Sequence, residues 1–141
     1  MQVENILQSK GRAVETVTAR TTIAEAVDVL NKHRIGAVVV MDGSRVAGIL
    51  SERDIVHHLG KDWGSLASRP VSDIMTKNVV TTSKRASVAE LMERMTEHRI
   101  RHIPVVEAGE LVGIVSIGDV VKRKIEETEQ EAIALKEYIA S

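Results

Sequence analysis

Two short passages carry the residues best suited to chemistry. The chain reads GILSERD from Gly48 to Asp54 and GIVSIGD from Gly113 to Asp119. The aspartates lie 119 − 54 = 65 positions apart, and the passages align at that offset without a gap. In each, an apolar run ends at a serine, Ser51 or Ser116, and an aspartate follows three residues later. Serine at that point caps a helix, and a carboxylate in the first turn suits the positive helix end. The same geometry can hold a ligand. Free N–H groups at a helix start attract an anion, and an ionised carboxylate accepts hydrogen bonds without donating any. Asp54 and Asp119 therefore suit a double hydroxyl donor such as a ribose diol. One copy alone is equally satisfied by a plain helix start; two copies at fixed spacing suggest two related sites.

Other chemistries find less support. His57 and His58 are adjacent, so on a helix they point about 100° apart, and no third metal ligand is placed near them. Serine, histidine and aspartate all occur, but no strained G-x-S-x-G turn does, and neither Ser51 nor Ser116 has an assigned base. The formal net charge of −1 gives no field that favours nucleic acid or membrane. Cysteine is absent, which excludes disulfides and thiolate metal sites and fits a reducing cytoplasm. Phenylalanine is also absent, and Trp63 and Tyr138 are the only aromatics besides histidine, so base-stacking platforms are lacking. No apolar run approaches the roughly 20 residues that span a bilayer, and the opening MQVENILQSKGR lacks the shape of a signal peptide. The expectation is a cytoplasmic, non-catalytic protein with no metal, no nucleic acid and no membrane partner.

The elements that must position these residues follow from periodicity and turn chemistry. VENIL near the start predicts a short helix, and Ala13–Thr18 a strand. Thr22 with Glu25 forms a capping-box signal for a helix through Ile23, Ala26, Val27 and Leu30, stopping near His33–Gly36. Ala37–Met41 is an apolar strand, Asp42-Gly43 a hairpin signal, and Val46–Leu50 the return strand. Ser51 then opens a helix to about Leu59. The glycine- and serine-containing segment 61–70, which ends in Pro70, reads as a linker. From there the unit repeats. Val71–Thr76 echoes VENIL, and Val79–Thr82 is a strand. Ser87 with Glu90 caps a helix whose Val88, Leu91, Met92 and Met95 face a core, with Met75 also in the interior. Ile103–Val106 and Leu111–Val115 form a hairpin around Gly109, and Ser116 opens the last helix. His33-Arg34-Ile35 matches His98-Arg99-Ile100; both arginines read as cations stabilising helix ends. A half-unit cannot bury its apolar face alone. Two β-α-β-β-α units packed sheet to sheet with pseudo-twofold symmetry, an α+β fold, solve that problem and leave clefts between them. The tail from Lys122 continues the last helix with a thin stripe of Ile125, Ala132, Ile133, Lys136 and Ile139, facing solvent, its own body or a second subunit.

The element order, the tandem copy, the HRI before an apolar strand and the G-h-h-S-x-x-D ending resemble paired CBS domains, the module named from cystathionine β-synthase. The resemblance covers residues 1–60 and 71–127, with 128–141 as a helical extension, and looks like a stand-alone pair. It implies adenosine ligands between the two units: AMP first, with ADP, ATP, NAD(H) or S-adenosylmethionine as other possibilities. It also implies a homodimer and an unidentified regulated protein. Carried over position by position, Asp54 and Asp119 match the ribose-binding aspartate, and Ser51 and Ser116 the hydroxyl beside it. Gly36, Ala37 and Val38, with His102, Ile103 and Pro104, match the strand start lining the adenine and phosphate side. Ile49 and Ile114 match an apolar wall, and Arg53 and Arg101 phosphate-binding cations.

If the clefts have the usual family geometry, Arg53 reaches toward Asp119, where Arg101 also sits, and His102 lies near Asp54. That arrangement predicts tighter binding of phosphorylated nucleotide at Asp119. Two other classes of function are considered beside the ligand sensor: a purely structural dimerisation unit and an enzyme acting on a nucleotide.

Overall fold

The computed structural model describes all 141 residues. The first repeat contains β1 (Thr16–Thr18), α2 (Ile23–His33), β2 (Ala37–Asp42), β3 (Arg45–Ser51) and α3 (Glu52–Leu59), preceded by α1 (Val3–Lys10). The second contains α4 (Val88–His98), β4 (His102–Glu107), β5 (Glu110–Ser116) and α5 (Ile117–Ala140). Each hairpin pairs its strand start with a capping serine: Ala37 opposes Ser51 and His102 opposes Ser116. Each also carries a register shift at the same place, between Val40 and Met41 and between Val105 and Val106. The duplication thus extends to the hydrogen-bond ladder.

The helices begin where side chains can replace missing backbone partners. Thr22 accepts from the Glu25 amide and Ser87 from the Glu90 amide, though the return bonds from the glutamates are not made. Both central helices end at an arginine with left-handed backbone, Arg34 (φ 53°) and Arg99 (φ 55°). The next amides, of Ile35 and Ile100, donate back to the Leu30 and Met95 carbonyls. This is a Schellman closure formed without glycine. It places an apolar isoleucine against the helix and turns the chain straight into the following strand.

The second sheet has two strands where the first has three. The expected strand Val79–Thr82 reduces to a single bridge between Thr82 and Val105. Pro104 supplies the reason. In the first repeat the Val39 amide donates to Glu15 O; 65 residues on, Val39 becomes Pro104, which has no N–H to give.

Two apolar clusters form the interior, and each takes a segment from the far side of the chain. Val3, Ile6 and Leu7 of α1 pack with Val88, Leu91, Met95, Ile103, Val105, Val115 and Val120 of the second repeat. Val71 and Ile74, in and just after a single 3-10 turn, pack with Ile23, Leu30, Val38, Val40 and Leu50 of the first. Backbone bonds seal the exchange: Val3 N donates to Ala86 O and Val88 N to Met1 O, while Val71 N donates to Thr21 O and Ile23 N to Arg69 O. Each repeat therefore anchors the lead-in of the other.

Two glycines permit this approach. A Cβ on Gly48 would lie 2.5 Å from Met75 Sδ and 2.9 Å from Thr76 O, and one on Gly113 would lie 2.7 Å from Leu7 Cδ2. Met92, expected in the core, is exposed, while Met95 three residues on is buried. No helix is long and apolar enough to cross a membrane.

Candidate functional site

The S-x-x-D passages form reciprocal caps with nearly the same geometry. Ser51 N–H donates to Asp54 Oδ2 at 2.9 Å, its hydroxyl donates to the same oxygen at 3.0 Å, and Asp54 N–H donates to Ser51 Oγ at 3.2 Å. The corresponding distances at Ser116 and Asp119 are 2.8, 3.0 and 3.2 Å. Each aspartate uses Oδ2 for the cap, so Oδ1 makes no hydrogen bond within the chain. The helix-start reading and the ligand reading are therefore compatible, since one oxygen holds the turn and the other is available.

Beyond the caps the two sites diverge. Lys10 Nζ donates to Asp119 Oδ2 at 2.7 Å and to the Ile114 carbonyl at 2.9 Å. Burial alone would raise the Asp119 carboxyl. The Lys10 ammonium and the Ser116 amide and hydroxyl outweigh it, and the group is held below its ordinary value. The divergence begins in the two lead-ins. Residues 3–10 stay helical and carry Lys10 to Asp119. Residues 71–73 make only a 3-10 turn, after which Thr76 pairs with Ile49 through two backbone bonds of 2.9 and 3.0 Å. In one half the strand edge is closed by backbone; in the other it is closed by a lysine.

A cleft of about 840 Å³ opens beside Asp54. Ile49, Ser51, Glu52, Arg53 and Asp54 from the first repeat face Thr76, Asn78, Val80, Arg99, Arg101 and His102 from the second, with Gly36 at the junction. A smaller cavity of about 390 Å³ lies beside Ser116 and Ile114, lined by Ala13–Glu15, His33–Ala37 and His102. Both volumes fall in the range of small-ligand sites. Asp119 does not line the smaller cavity.

The expected charge distribution is reversed. Arg53 and Arg101 both line the Asp54 cleft, because Arg53 immediately precedes Asp54 on α3 and the start of β4 faces the cap of the first repeat. Arg99, read from sequence as a helix-end cation, joins them. Nothing in the local pattern of Arg99 marked it for this cleft; its left-handed backbone at the end of α4 puts it there. Val38 and Ile103 are fully buried, one in each apolar cluster. Pro104 is buried as well, and its carbonyl accepts the Thr82 amide. These three support the walls from behind, because strand residues buried on both faces have no cavity to reach. Gly36, Ala37, Ile49, Ile114 and His102 do line the cavities.

His102 lines both. Its imidazole approaches the backbone closely enough that a Cβ on Gly36 would lie 3.2 Å from Cε1. Burial pushes the imidazole below its ordinary range; Glu52 opposes that, and Lys10 adds to it. His57 and His58 pack edge to face, with His58 Nδ1 2.9 Å from the Asp54 carbonyl. No group of three His, Cys, Asp or Glu side chains converges as a metal site would require.

A model of the CBS domain family matches residues 6–61 and again 71–126. The solved CBS-domain containing protein ATU1752 from Agrobacterium tumefaciens superposes with a TM-score of 0.86 at 46% identity, covering 88% of this chain and 99% of that one. The CBS domain protein PAE2072 from Pyrobaculum aerophilum, complexed with AMP, superposes at 0.75 with 29% identity, over 84% and 89% of the two chains. The CBS domain pair of protein MJ0100, in complex with 5-methylthioadenosine and S-adenosyl-L-methionine, superposes at 0.81 with 26% identity, over 90% and 98%. With two family matches, a duplicated ladder and two capped aspartates at one offset, the chain belongs to the CBS-domain family and is a tandem pair of such domains.

Proposed function

We propose that this chain is a regulatory module that binds an adenosine ligand, AMP first among the candidates, with the Asp54 cleft as its principal site. The observation that carries the reading is the composition of that cleft. An aspartate with one uncommitted oxygen shares the lining of that cleft with three arginines, Arg53, Arg99 and Arg101. The carboxylate suits the ribose hydroxyls, and guanidiniums suit bidentate contact with phosphate. Ile49, Val79 and Val80 offer apolar surface for the base. The ligands of PAE2072 and MJ0100 support the adenosine part, since AMP, methylthioadenosine and S-adenosylmethionine share it. The arginines favour a phosphorylated member of that set.

The cleft lies between the repeats, so a ligand that prefers one setting of the two halves biases that setting. A protein partner that reads the setting completes the regulatory role. The hydroxyls of Ser51 and Ser116 are committed to their caps, and neither is paired with a base. This favours binding over group transfer.

Thermal melting with adenosine, AMP, ADP, ATP, NAD, NADH and S-adenosylmethionine tests the reading. A ligand at about 100 times its dissociation constant adds roughly 2.7 kcal/mol of stability. The expected outcome is a clear upward shift with AMP that is lost in Asp54→Ala/Asp119→Ala. An unchanged melting temperature with every ligand would leave the structural dimerisation reading in its place.

A further inference from the structure

We propose that the last five turns of α5 pair with the same helix of a second copy as a parallel two-stranded coiled coil. Of the large apolar residues exposed along this helix, Val121, Ile125, Leu135 and Ile139 fall on one stripe, Ile117 and Tyr138 flank it, and Ile133 lies off it. Val121, Ile125, Thr128, Ala132, Leu135 and Ile139 follow one another at intervals of 4, 3, 4, 3 and 4 residues. That is the 3.5-residue repeat of a coiled-coil seam, and it persists for nearly three heptads. Ile125, Ala132 and Ile139 take the a positions; Val121, Thr128 and Leu135 take the d positions. Isoleucine at a with leucine at d favours two strands in parallel.

The seam faces away from the body. Val120 is buried in the second core, and Arg123 Nε donates to Met1 Sδ. At about 100° per residue, the centre of the seam lies roughly 130° around the helix from that inward face. Val121, Ile125, Leu135 and Ile139 are accordingly 47%, 54%, 60% and 74% exposed. Two copies brought seam to seam would carry their bodies on opposite outer sides.

Charge identifies the occupant. In a parallel pair, each g residue meets the e residue five positions later on the partner helix. Here that places Lys124 against Glu129 and Glu131 against Lys136, four attractive pairs across a symmetric dimer. An antiparallel pair would instead set Glu129 against Glu129, Glu131 against Glu131 and Lys122 against Lys136. The sequence thus matches itself in one orientation and repels itself in the other. The contact of Lys124 with Glu127 within the helix is 3.8 Å and exposed, too weak to withhold the lysine.

The protein has no cysteine, so single-cysteine variants of the full chain test the pairing directly. In a parallel coiled coil, the two copies of a d residue face each other across the axis. Leu135→Cys is expected to form an interchain disulfide under mild oxidation. Gln130→Cys, at the outward f position, is expected to give at least tenfold less. In the Leu135→Cys background, Lys124→Glu/Lys136→Glu and Glu129→Lys/Glu131→Lys should each lose the crosslink alone and regain it when mixed. Circular dichroism on each variant checks that the body remains folded. Failure of Leu135→Cys to crosslink, equal crosslinking at Gln130→Cys, or indifference to the charge reversals would overturn the proposal. A dimer held by the bodies alone would show that indifference.

Discussion

Replacing Lys10 with methionine removes the ammonium that sits on Asp119 while keeping the length of the stem. In the native chain, the ammonium on Oδ2 draws on the carboxylate charge that the free Oδ1 would offer a sugar hydroxyl. A hydrogen bond to a charged group contributes about 1.5–3 kcal/mol when well shielded. The Lys10 and Asp119 side chains are 30% and 23% exposed, so solvent screening lowers the figure to about 1–1.5 kcal/mol. This corresponds to a roughly five- to thirteenfold handicap for the Asp119 site. Isothermal titration with adenosine, which has no phosphate for Lys10 to attract, reads it directly. In an Asp54→Ala background only the Asp119 site remains, and Lys10→Met should tighten adenosine by about that factor. In an Asp119→Ala background the same substitution should change affinity by less than twofold, roughly the scatter of independent sites. The sign for stability is opposite. Asp119 is depressed, so its contribution is present above the ordinary carboxylate range and is lost as pH falls through the folded value. Lys10→Met should therefore lower stability at neutral pH and flatten the acid limb of the profile. The reasoning fails if Lys10→Met leaves adenosine affinity at the Asp119 site unchanged.

Three further outcomes are expected. Gly48→Ala should cost about 1–3 kcal/mol by overpacking against Met75 and the Thr76 carbonyl, a fall of roughly 3–10 °C in melting temperature. Gly64→Ala, which meets nothing within 4 Å, should be neutral; equal effects would refute the reciprocal packing of lead-ins. Because burial lowers the His102 imidazole, the unfolded chain takes up a proton below its ordinary value of 6.5 that the folded chain refuses. Stability should decline as pH falls from there, and His102→Gln should reduce that decline in urea unfolding at pH 8 and pH 5.5. Arg53→Glu/Arg101→Glu should weaken AMP by more than about tenfold while leaving adenosine nearly unchanged; titration calorimetry with both ligands checks it, and equal losses for the two would remove the phosphate role.

The caps of the candidate site are legible in the sequence. Ser51 and Asp54, like Ser116 and Asp119, were found from a repeat at one offset, because a cap is local and needs only three or four residues to form. The hairpins were equally local, as was the HRI ending of both central helices. Assignment of the arginines failed for the opposite reason. Whether Arg101 belongs with Asp54 or Asp119 depends on how two repeats face each other, and no window of sequence encodes that; Arg53 lies beside Asp54 because it precedes it in the chain. Lys10 was missed altogether. It lies 109 residues from Asp119, in a helix whose counterpart in the other repeat is only a single turn. The shortened strand near Thr82 could have been anticipated from Pro104, whose missing N–H falls where the first repeat makes a sheet bond.

The sequence by itself determined the duplication and the caps that build each aspartate into a helix start. Both rest on side-chain chemistry within a few turns of the chain. The tertiary structure alone decided that each lead-in crosses to the other repeat, that Arg99 and Arg101 join Arg53 in lining the cleft beside Asp54, and that a lysine pairs with Asp119. Those outcomes come from burying two incomplete apolar faces against each other, which forces distant segments together without regard to their separation along the chain.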